Sequence, residues 1–278
     1  MRHLARTAPA LVRACHPQPT LAVTAVATGL AVTSGRATGE LIVVAAAILA
    51  GQLSVGWLND LVDAGRDAVV GRAGKPVATG QLSRTAVLVG VLVAAACAVL
   101  LSLPSGWPAT VAHLAALVSA WSYDLGVKAG ALSVLPYAVS FGLLPAFVVL
   151  GLPGTPLPPL WLLTAAALLG AGAHFANVLP DLDDDLATGV RGLPHRMGPT
   201  GSRIAAAGLA LSASVVLVLG PSGGMSGWGL LVLLTAASAI AVGLILALRP
   251  GSRSVFQAFL LVAVIDVALL VTGGVNLR

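Results

Sequence analysis

Charge is what this sequence has least of. Only 9% of its 278 residues are Asp, Glu, Lys or Arg, while 58% are hydrophobic. Soluble domains carry about a quarter charged residues, so a freely soluble globular domain is excluded and an integral membrane protein is implied. Cysteine is equally scarce. Cys15 and Cys97 stand far apart, with no CxxC and no His-rich partner, which gives no basis for a disulfide framework or a zinc site and leaves both as packing residues.

What is present in quantity is apolar run. A bilayer core about 30 Å thick asks for roughly 20 mostly apolar residues per helix. Such runs fall at 19–35, 40–58, 85–103, 107–122, 131–151, 160–179, 203–220, 227–248 and 254–273. The expected fold is therefore all-α, a polytopic membrane protein with nine transmembrane helices. Many of these runs are rich in Ala and Gly, which lets helices approach closely in lipid, and Pro, Gly and Ser collect between them as turns. With the N-terminus in the cytoplasm, every one of the 15 basic residues except Arg36 and Arg278 lies on the cytoplasmic face, the positive-inside pattern expected in a plasma membrane. Arg2 to Arg13 followed by the apolar run 21–32 also has the outline of a signal peptide.

The ten acidic residues are more selective still. Asp60, Asp63 and Asp67 lie in "WLNDLVDAGRDAVVGRAGKP" (57–76), Asp124 in "WSYDLGVKAG", and Asp181, Asp183, Asp184 and Asp185 in "NVLPDLDDDLATGVRGLP". All eight fall on the cytoplasmic face. If the second span continues as a helix through Asp67, then Gln52, Gly56, Asn59, Asp60, Asp63 and Asp67 recur mostly at three- and four-residue steps and share one face. His174, Asn177, Asp181, Asp184 and Asp185 repeat the pattern after the sixth span, where Pro180 kinks or ends the helix. His174, one turn before Asn177, reads as a substrate contact.

Stacked carboxylates repel one another, so a cation is the natural compensation. Oxygen-only ligands favour Mg²⁺ or Ca²⁺ over zinc or copper. An EF-hand is excluded, because "DLDDDLATG" has Leu186 where the loop needs Gly and Gly192 where it needs Glu. Mg²⁺ is usually held by one or two carboxylates plus waters and substrate phosphates. Arg66, Arg72, Lys75, Lys128, Arg191 and Arg196 then suit a polyanionic ligand, although basic residues at this face also serve to attract anionic headgroups. No nucleic acid is expected as a partner. The two Asp clusters lie four spans apart and so in the same orientation, the mark of a parallel repeat. Repeat one covers about 19–122 and repeat two about 131–248, with a final helix at about 254–273, all in one domain around a central cavity.

Asn59, Asp60, Asp63 and Asp67 match the NDxxDxxxD motif of the UbiA superfamily of intramembrane prenyltransferases, and "GRAGKPVATGQLS" resembles the KP...G.LS tail behind it. Tyr123 to Lys128, "YDLGVK", is similar to the YxxxxK segment of the family's middle loop. Asp181 and Asp185 fit the second DxxxD motif, followed by Gly189, Arg191, Leu193 and Pro194 as its G.(K/R).LP tail. The resemblance implies an isoprenyl diphosphate bound at the cytoplasmic side, with two Mg²⁺ ions bridging it to Asn59, Asp60, Asp63, Asp67, Asp181 and Asp185. It further implies Lys128 in catalysis and Tyr123, Arg66, Arg72, Lys75, Asn177 and Arg191 at the substrate. Ionisation would release diphosphate and an allylic cation for a membrane-embedded or aromatic acceptor to capture.

The second motif departs from the DxxYAxxD form of 4-hydroxybenzoate prenyltransferases, which makes that acceptor less suitable. Two other functions stay in view at this point. A terpene cyclase on the same fold would keep the metal motifs and use no acceptor, and a transporter would have repeats and intramembrane charge but would need polar groups near the midplane. Asp266, in the last span, reads either as a functional intramembrane carboxylate or as a hydrogen-bonded packing acid. His113 reads as packing.

Overall fold

A computed structural model of the chain describes residues 4–221, 227–246 and 254–272. Arg2, Arg249, Arg253 and Arg278 lie outside the described residues, as does the side chain of Arg6. The elements are helical throughout: α1 (Leu4–Ala14), α2 (Pro17–Thr33), α3 (Thr38–Val69), α4 (Arg84–Ser102), α5 (Trp107–Asp124), α6 (Val134–Leu150), α7 (Leu160–Val178), α8 (Leu182–Ala187), α9 (Leu193–Leu219), α10 (Gly227–Leu246) and α11 (Ser254–Thr272). Nine of these answer to the nine apolar runs. Five helical segments among the described residues are long and apolar enough to cross a membrane: Thr38–Val69, Arg84–Ser105, Leu160–Ala187, Leu193–Leu219 and Gly227–Leu246. The apolar stretches Val134–Leu150 and Ser254–Leu270 are shorter.

Two helices outrun their apolar stretches. The 32 residues of α3 rise about 48 Å at 1.5 Å each, well beyond a bilayer core of about 30 Å. Its last turns, with Asp60, Asp63 and Asp67, therefore project past the hydrocarbon. Helix α9 starts at Leu193, ten residues before its apolar run, and kinks at Gly198, whose φ of 70° and ψ of 177° are not helical. Pro199 explains the break, since a proline disfavours helical geometry at the residue before it.

Helix α1 has no counterpart among the spans. It carries Pro9 and only a narrow apolar face, on which Ala10 and Ala14 are buried against Ala64, Val77 and Leu82. Trp57 Nε1 donates to the Leu11 carbonyl at 2.9 Å, and the chain then turns through His16 into α2. The junction sits directly on α3. A Cβ at Gly56 would stand 2.4 Å from the Cys15 carbonyl oxygen, so only glycine admits this approach. Gly170 does the same for α7 against the Tyr137 carbonyl on α6, again at 2.4 Å. In lipid, helices associate through such close contact and not through exclusion of water.

Gly56→Ala forces backbone against backbone and should destabilise the fold by about 1–3 kcal/mol, lowering the unfolding temperature in detergent. Gly65, in the same helix with nothing within 4 Å of its would-be Cβ, is the control. Gly65→Ala should leave that temperature unchanged or raise it. If both variants unfold alike, the contact at Gly56 carries no stability.

Below the motif end of α3, one core gathers Val23, Ala27, Val44, Ala47, Ile48, Phe147 and Leu162. A second packs α7, α9, α10 and α11 through Leu169, Ala173, Ala206, Ala210, Ala236, Ile240 and Phe259. Two lone polar residues lie inside the packing. Asp266 is fully buried; one oxygen accepts from Ser214 Oγ at 3.0 Å and the other makes no hydrogen bond among the described residues. His113 meets Ser102 Oγ at 2.6 Å and stacks on Phe147 with ring centroids 4.6 Å apart.

Candidate active site

Helix α7 stops at Val178, and Pro180 enters a single 3₁₀ turn, Leu179–Asp181, before α8 resumes. The second Asp cluster is thus carried on a broken helix, as Pro180 led one to expect. Asp181 lies on the turn and Asp184 and Asp185 on α8. The break turns these carboxylates toward the end of α3, and the loop after α3 bridges the gap. From it, Arg72 reaches Asp67 at 3.4 Å, Asp181 and Asp184 at 3.3 Å each, and Asp185 at 3.8 Å. One guanidinium joins both clusters. Burial works against its charge, yet Asp181, Asp67 and Asp185 together hold it above its ordinary range.

Three more cations serve the first cluster. Lys75 stands 3.7 Å from Asp60 Oδ1 and from Asp67 Oδ2. Lys128, on the short turn Val127–Ala129 and buried, donates to Asp63 Oδ1 at 2.5 Å. Arg66 binds the same oxygen, and Asn59 Nδ2 donates to Asp63 Oδ2 at 3.2 Å. Asp60 is fully buried, and its Oδ2 accepts the Val77 backbone N–H at 3.2 Å, which pins the loop carrying Arg72 and Lys75. A cleft of about 210 Å³ remains, lined by Asp63, Arg66, Asp67, Arg72, Asp184 and Asp185.

The arrangement is short of positive charge. Asp60, Asp63, Asp67, Asp181, Asp184 and Asp185 share Arg66, Arg72, Lys75, Lys128 and a single histidine, His195. Asp60 Oδ1 and Asp67 Oδ2 are buried and make no hydrogen bond among the described residues. The Lys75 ammonium, 3.7 Å from each, is the cation that meets them here; such oxygens are costly to bury without one, and oxygen donors suit a hard divalent ion as well. The donor set fits Mg²⁺. In this conformation, however, no group of three acidic, His or Cys side chains among the described residues converges closely enough to hold a metal. Arg72 and Lys75 take up that space.

The remaining expected residues divide. Tyr123 and His174 sit beneath the carboxylates in an aromatic cluster with Tyr137, ring centroids 5.0 Å apart for Tyr123–Tyr137, 5.4 Å for Tyr123–His174 and 5.0 Å for Tyr137–His174. His174 is buried, with Nε2 against Ser133 Oγ at 3.0 Å. Asn177 is exposed and donates to the Tyr137 hydroxyl at 3.3 Å. Arg191 is not brought into the cluster. Its side chain is exposed, and its carbonyl accepts from Arg196 Nε at 3.1 Å. The reason is Gly192, whose would-be Cβ lies 2.4 Å from the Lys128 carbonyl. Docked there, and held by Leu193 N–H to Ser133 Oγ at 2.8 Å, the tail turns its basic residue outward and supports the Lys128 turn through its backbone.

Two residues beside the motifs went unassigned in the sequence. His195 places Nε2 3.3 Å from Asp185 Oδ2, with its side chain 2% exposed. Asp124 accepts from Asn59 Nδ2 at 3.0 Å. His195 follows the LP pair and stands ten residues from Asp185, a separation with no helical meaning, so only the fold brings the two together.

The comparisons bear on this geometry. The UbiA homologue of Aeropyrum pernix K1, solved in its apo form, superposes with a TM-score of 0.75 at 19% identity, covering 92% of this chain and 98% of its own. The Archaeoglobus fulgidus homologue, solved with GPP and Mg²⁺, gives 0.72 at 16% identity over 95% and 98%. A structure from work on digeranylgeranylglyceryl phosphate synthase gives 0.67 at 14% identity over 99% of each chain. No curated protein matches the sequence. At these identities the solved structures establish the fold, while a sequence profile of the UbiA prenyltransferase family matches residues 20–265, most of the chain. This helical membrane protein, with its two facing aspartate motifs, belongs to the UbiA prenyltransferase family.

Proposed function

We propose that this chain catalyses Mg²⁺-dependent transfer of a prenyl group from an isoprenyl diphosphate to an aromatic or lipid acceptor within the membrane, releasing diphosphate. The observation that carries this reading is the meeting of two aspartate clusters around Arg72, with more carboxylates than cations. Homologues solved with GPP or with DMAPP, each with Mg²⁺, support the substrate class. Asn59, Asp60, Asp63, Asp67, Asp181 and Asp185 would hold Mg²⁺, which supplies positive charge to the leaving diphosphate.

The chain's own groups do the rest. Arg66, Arg72, Lys75 and Lys128 now neutralise carboxylates, and their long stems let them donate instead to phosphate oxygens in short charge-assisted bonds. As the C1–O bond breaks, its electron pair leaves with the diphosphate and these donors stabilise the growing charge. The allylic cation left behind faces Tyr123, Tyr137 and His174, whose rings favour positive charge and keep water out. The acceptor then bonds to C1 and loses a proton.

The same reading assigns nine spans to α2–α7 and α9–α11, with the N-terminus and the diphosphate site on the cytoplasmic side of the plasma membrane. It keeps one domain built of two four-helix repeats, α2–α5 and α6–α10, the latter interrupted by the short α8, and a final α11. The C-terminal ends of α3 and α7 hold corresponding places in the two halves. To test the function, purified protein is incubated with Mg²⁺, prenyl diphosphates of several lengths and a lipid or quinone-precursor extract, and products are read by mass. A prenylated acceptor is expected. A cyclic hydrocarbon or alcohol would indicate a cyclase, and vesicle uptake without diphosphate release a transporter.

A further inference from the structure

Asp124 stands at an unspecified position of the "YDLGVK" segment, yet it ends α5 nearly fully buried at 3% exposure and lies against the first aspartate cluster. Its Oδ1 accepts a hydrogen bond from Asn59 Nδ2 at 3.0 Å, across 65 residues of sequence. The other proton of the same Nδ2 goes to Asp63 Oδ2 at 3.2 Å. Both carboxyl oxygens accept from the NH₂ end of the Asn59 amide. The carbonyl end is thereby turned the other way, and Asn59 Oδ1 meets the Lys75 ammonium at 3.4 Å. One turn earlier on α5, Trp121 Nε1 donates to Ser54 Oγ on α3 at 3.2 Å. Asp124 and Asn59 therefore come from two helices locked in register.

An asparagine can ligate a hard cation only through its oxygen. With one carboxylate neighbour the amide could still rotate about its last bond and offer either end. With two on the same side, the NH₂ has two acceptors and the oxygen has none, so the flipped amide would set oxygen against two carboxylates. We infer that Asp124 is a positioning residue for the cation site: it fixes the direction of the Asn59 amide, so that oxygen and not nitrogen faces the position Lys75 now fills. This rests on the reading of Asn59 and its neighbours as a divalent-metal site. The partners that orient ligands are typically worth about 10–100-fold in metal affinity.

The test uses the full-length protein in detergent with Mn²⁺ alone, titrated without diphosphate and read by the electron paramagnetic resonance signal of free ion. Asp124→Leu keeps the shape of the side chain and removes the acceptor, and it should weaken Mn²⁺ binding by about 10–100-fold. Asp124→Asn can still offer an oxygen to the Asn59 NH₂ and should stay within about threefold of wild type, well short of the loss that follows when such a partner is removed outright. The decisive variant is Asn59→Asp. A carboxylate has two oxygens and needs no orienting, so in the Asp124→Leu background it should restore binding to within about threefold of wild type, recovering what the lost partner supplied. In the wild-type background the same change measures what the added charge contributes by itself, and Asp124→Leu should cost less affinity in the Asn59→Asp protein than in the wild type.

A merely structural or purely electrostatic role for Asp124 would give the same loss in both backgrounds. Thermal unfolding of each variant separates misfolding from loss of the site, and if Asp124→Leu does not fold, Asp124→Asn decides, since a role through charge alone predicts a loss of about tenfold or more and the positioning role predicts binding within about threefold of wild type. Unchanged binding in Asp124→Leu, or equal losses from Asp124→Leu in the two backgrounds, overturns the role of Asp124 and leaves the metal site standing. Absence of Mn²⁺ binding by the wild-type protein overturns both.

Discussion

Stripping divalent metal with a chelator should abolish turnover, and added Mg²⁺ should restore it. Among the described residues, and counting Asp124, the site holds seven carboxyl groups against four basic side chains and one histidine paired with them, and every one of those bases is already committed to a carboxylate. A diphosphate entering without metal would have to compete with Asp63 for Lys128 and with both clusters for Arg72, while bringing its own negative charge close to theirs. Like charges in a confined site disfavour one another strongly, so neither binding nor ionisation should proceed. The fold should survive the treatment, because Arg72 bridges the two clusters and Lys75 ties Asp60 to Asp67 without a metal. The check is diphosphate release with chelator and after Mg²⁺ is returned, alongside thermal unfolding in both states. Full turnover in chelator would remove the metal from the mechanism altogether.

Much of this arrangement is written in local sequence. The three- and four-residue spacing of Gln52, Gly56, Asn59, Asp60, Asp63 and Asp67 requires α3 to run on past its apolar stretch, and it does. Pro180 marks the break after α7 because it removes a backbone donor wherever it stands. The equal orientation of the two clusters follows from counting spans, and the reach of Arg72 to both shows them meeting.

Other features depend on the fold and have no local signal. Helix α1 is short, carries Pro9 and shows too little apolar surface to resemble a span, so only its packing on α3, through Ala10, Ala14 and the Trp57–Leu11 hydrogen bond, gives it a place. The early part of α9 is hidden because Gly198 and Pro199 interrupt the pattern that would announce it. Arg191 has the right sequence neighbours for a ligand-binding residue, but the direction of its side chain is set by Gly192 packing on the Lys128 turn. The pairings Asn59–Asp124 and Asp185–His195 join residues at separations with no meaning in any single helix. Motif spacing identifies the groups that carry charge. Which buried neighbours aim them is decided by tertiary contacts.

Asp63→Asn and Asp181→Asn should each lower turnover by roughly a thousandfold, the rate equivalent of about 4 kcal/mol of lost transition-state stabilisation. Asparagine keeps the shape of the side chain, so the change falls on charge and on one oxygen. At position 63 the loss is double. The amide gives Lys128 and Arg66, which share one oxygen, a weaker partner, and its NH₂ meets the Asn59 donor that now binds the other oxygen. At position 181 the carboxylate is 40% exposed, and its partner Arg72 keeps Asp67, Asp184 and Asp185. Asp181→Asn should therefore be nearly neutral for stability while remaining severe for turnover, as expected of a ligand and not of a structural ion pair. Asp183, two residues away and exposed on α8, carries the same charge but belongs to neither pair. Asp183→Asn should leave turnover within about twofold, in line with other surface changes. Diphosphate release and thermal unfolding measured on all three variants decide the matter. Equal losses at 181 and 183 would mean that the second cluster acts only through its summed charge, and Asp181 would lose its place as a metal ligand.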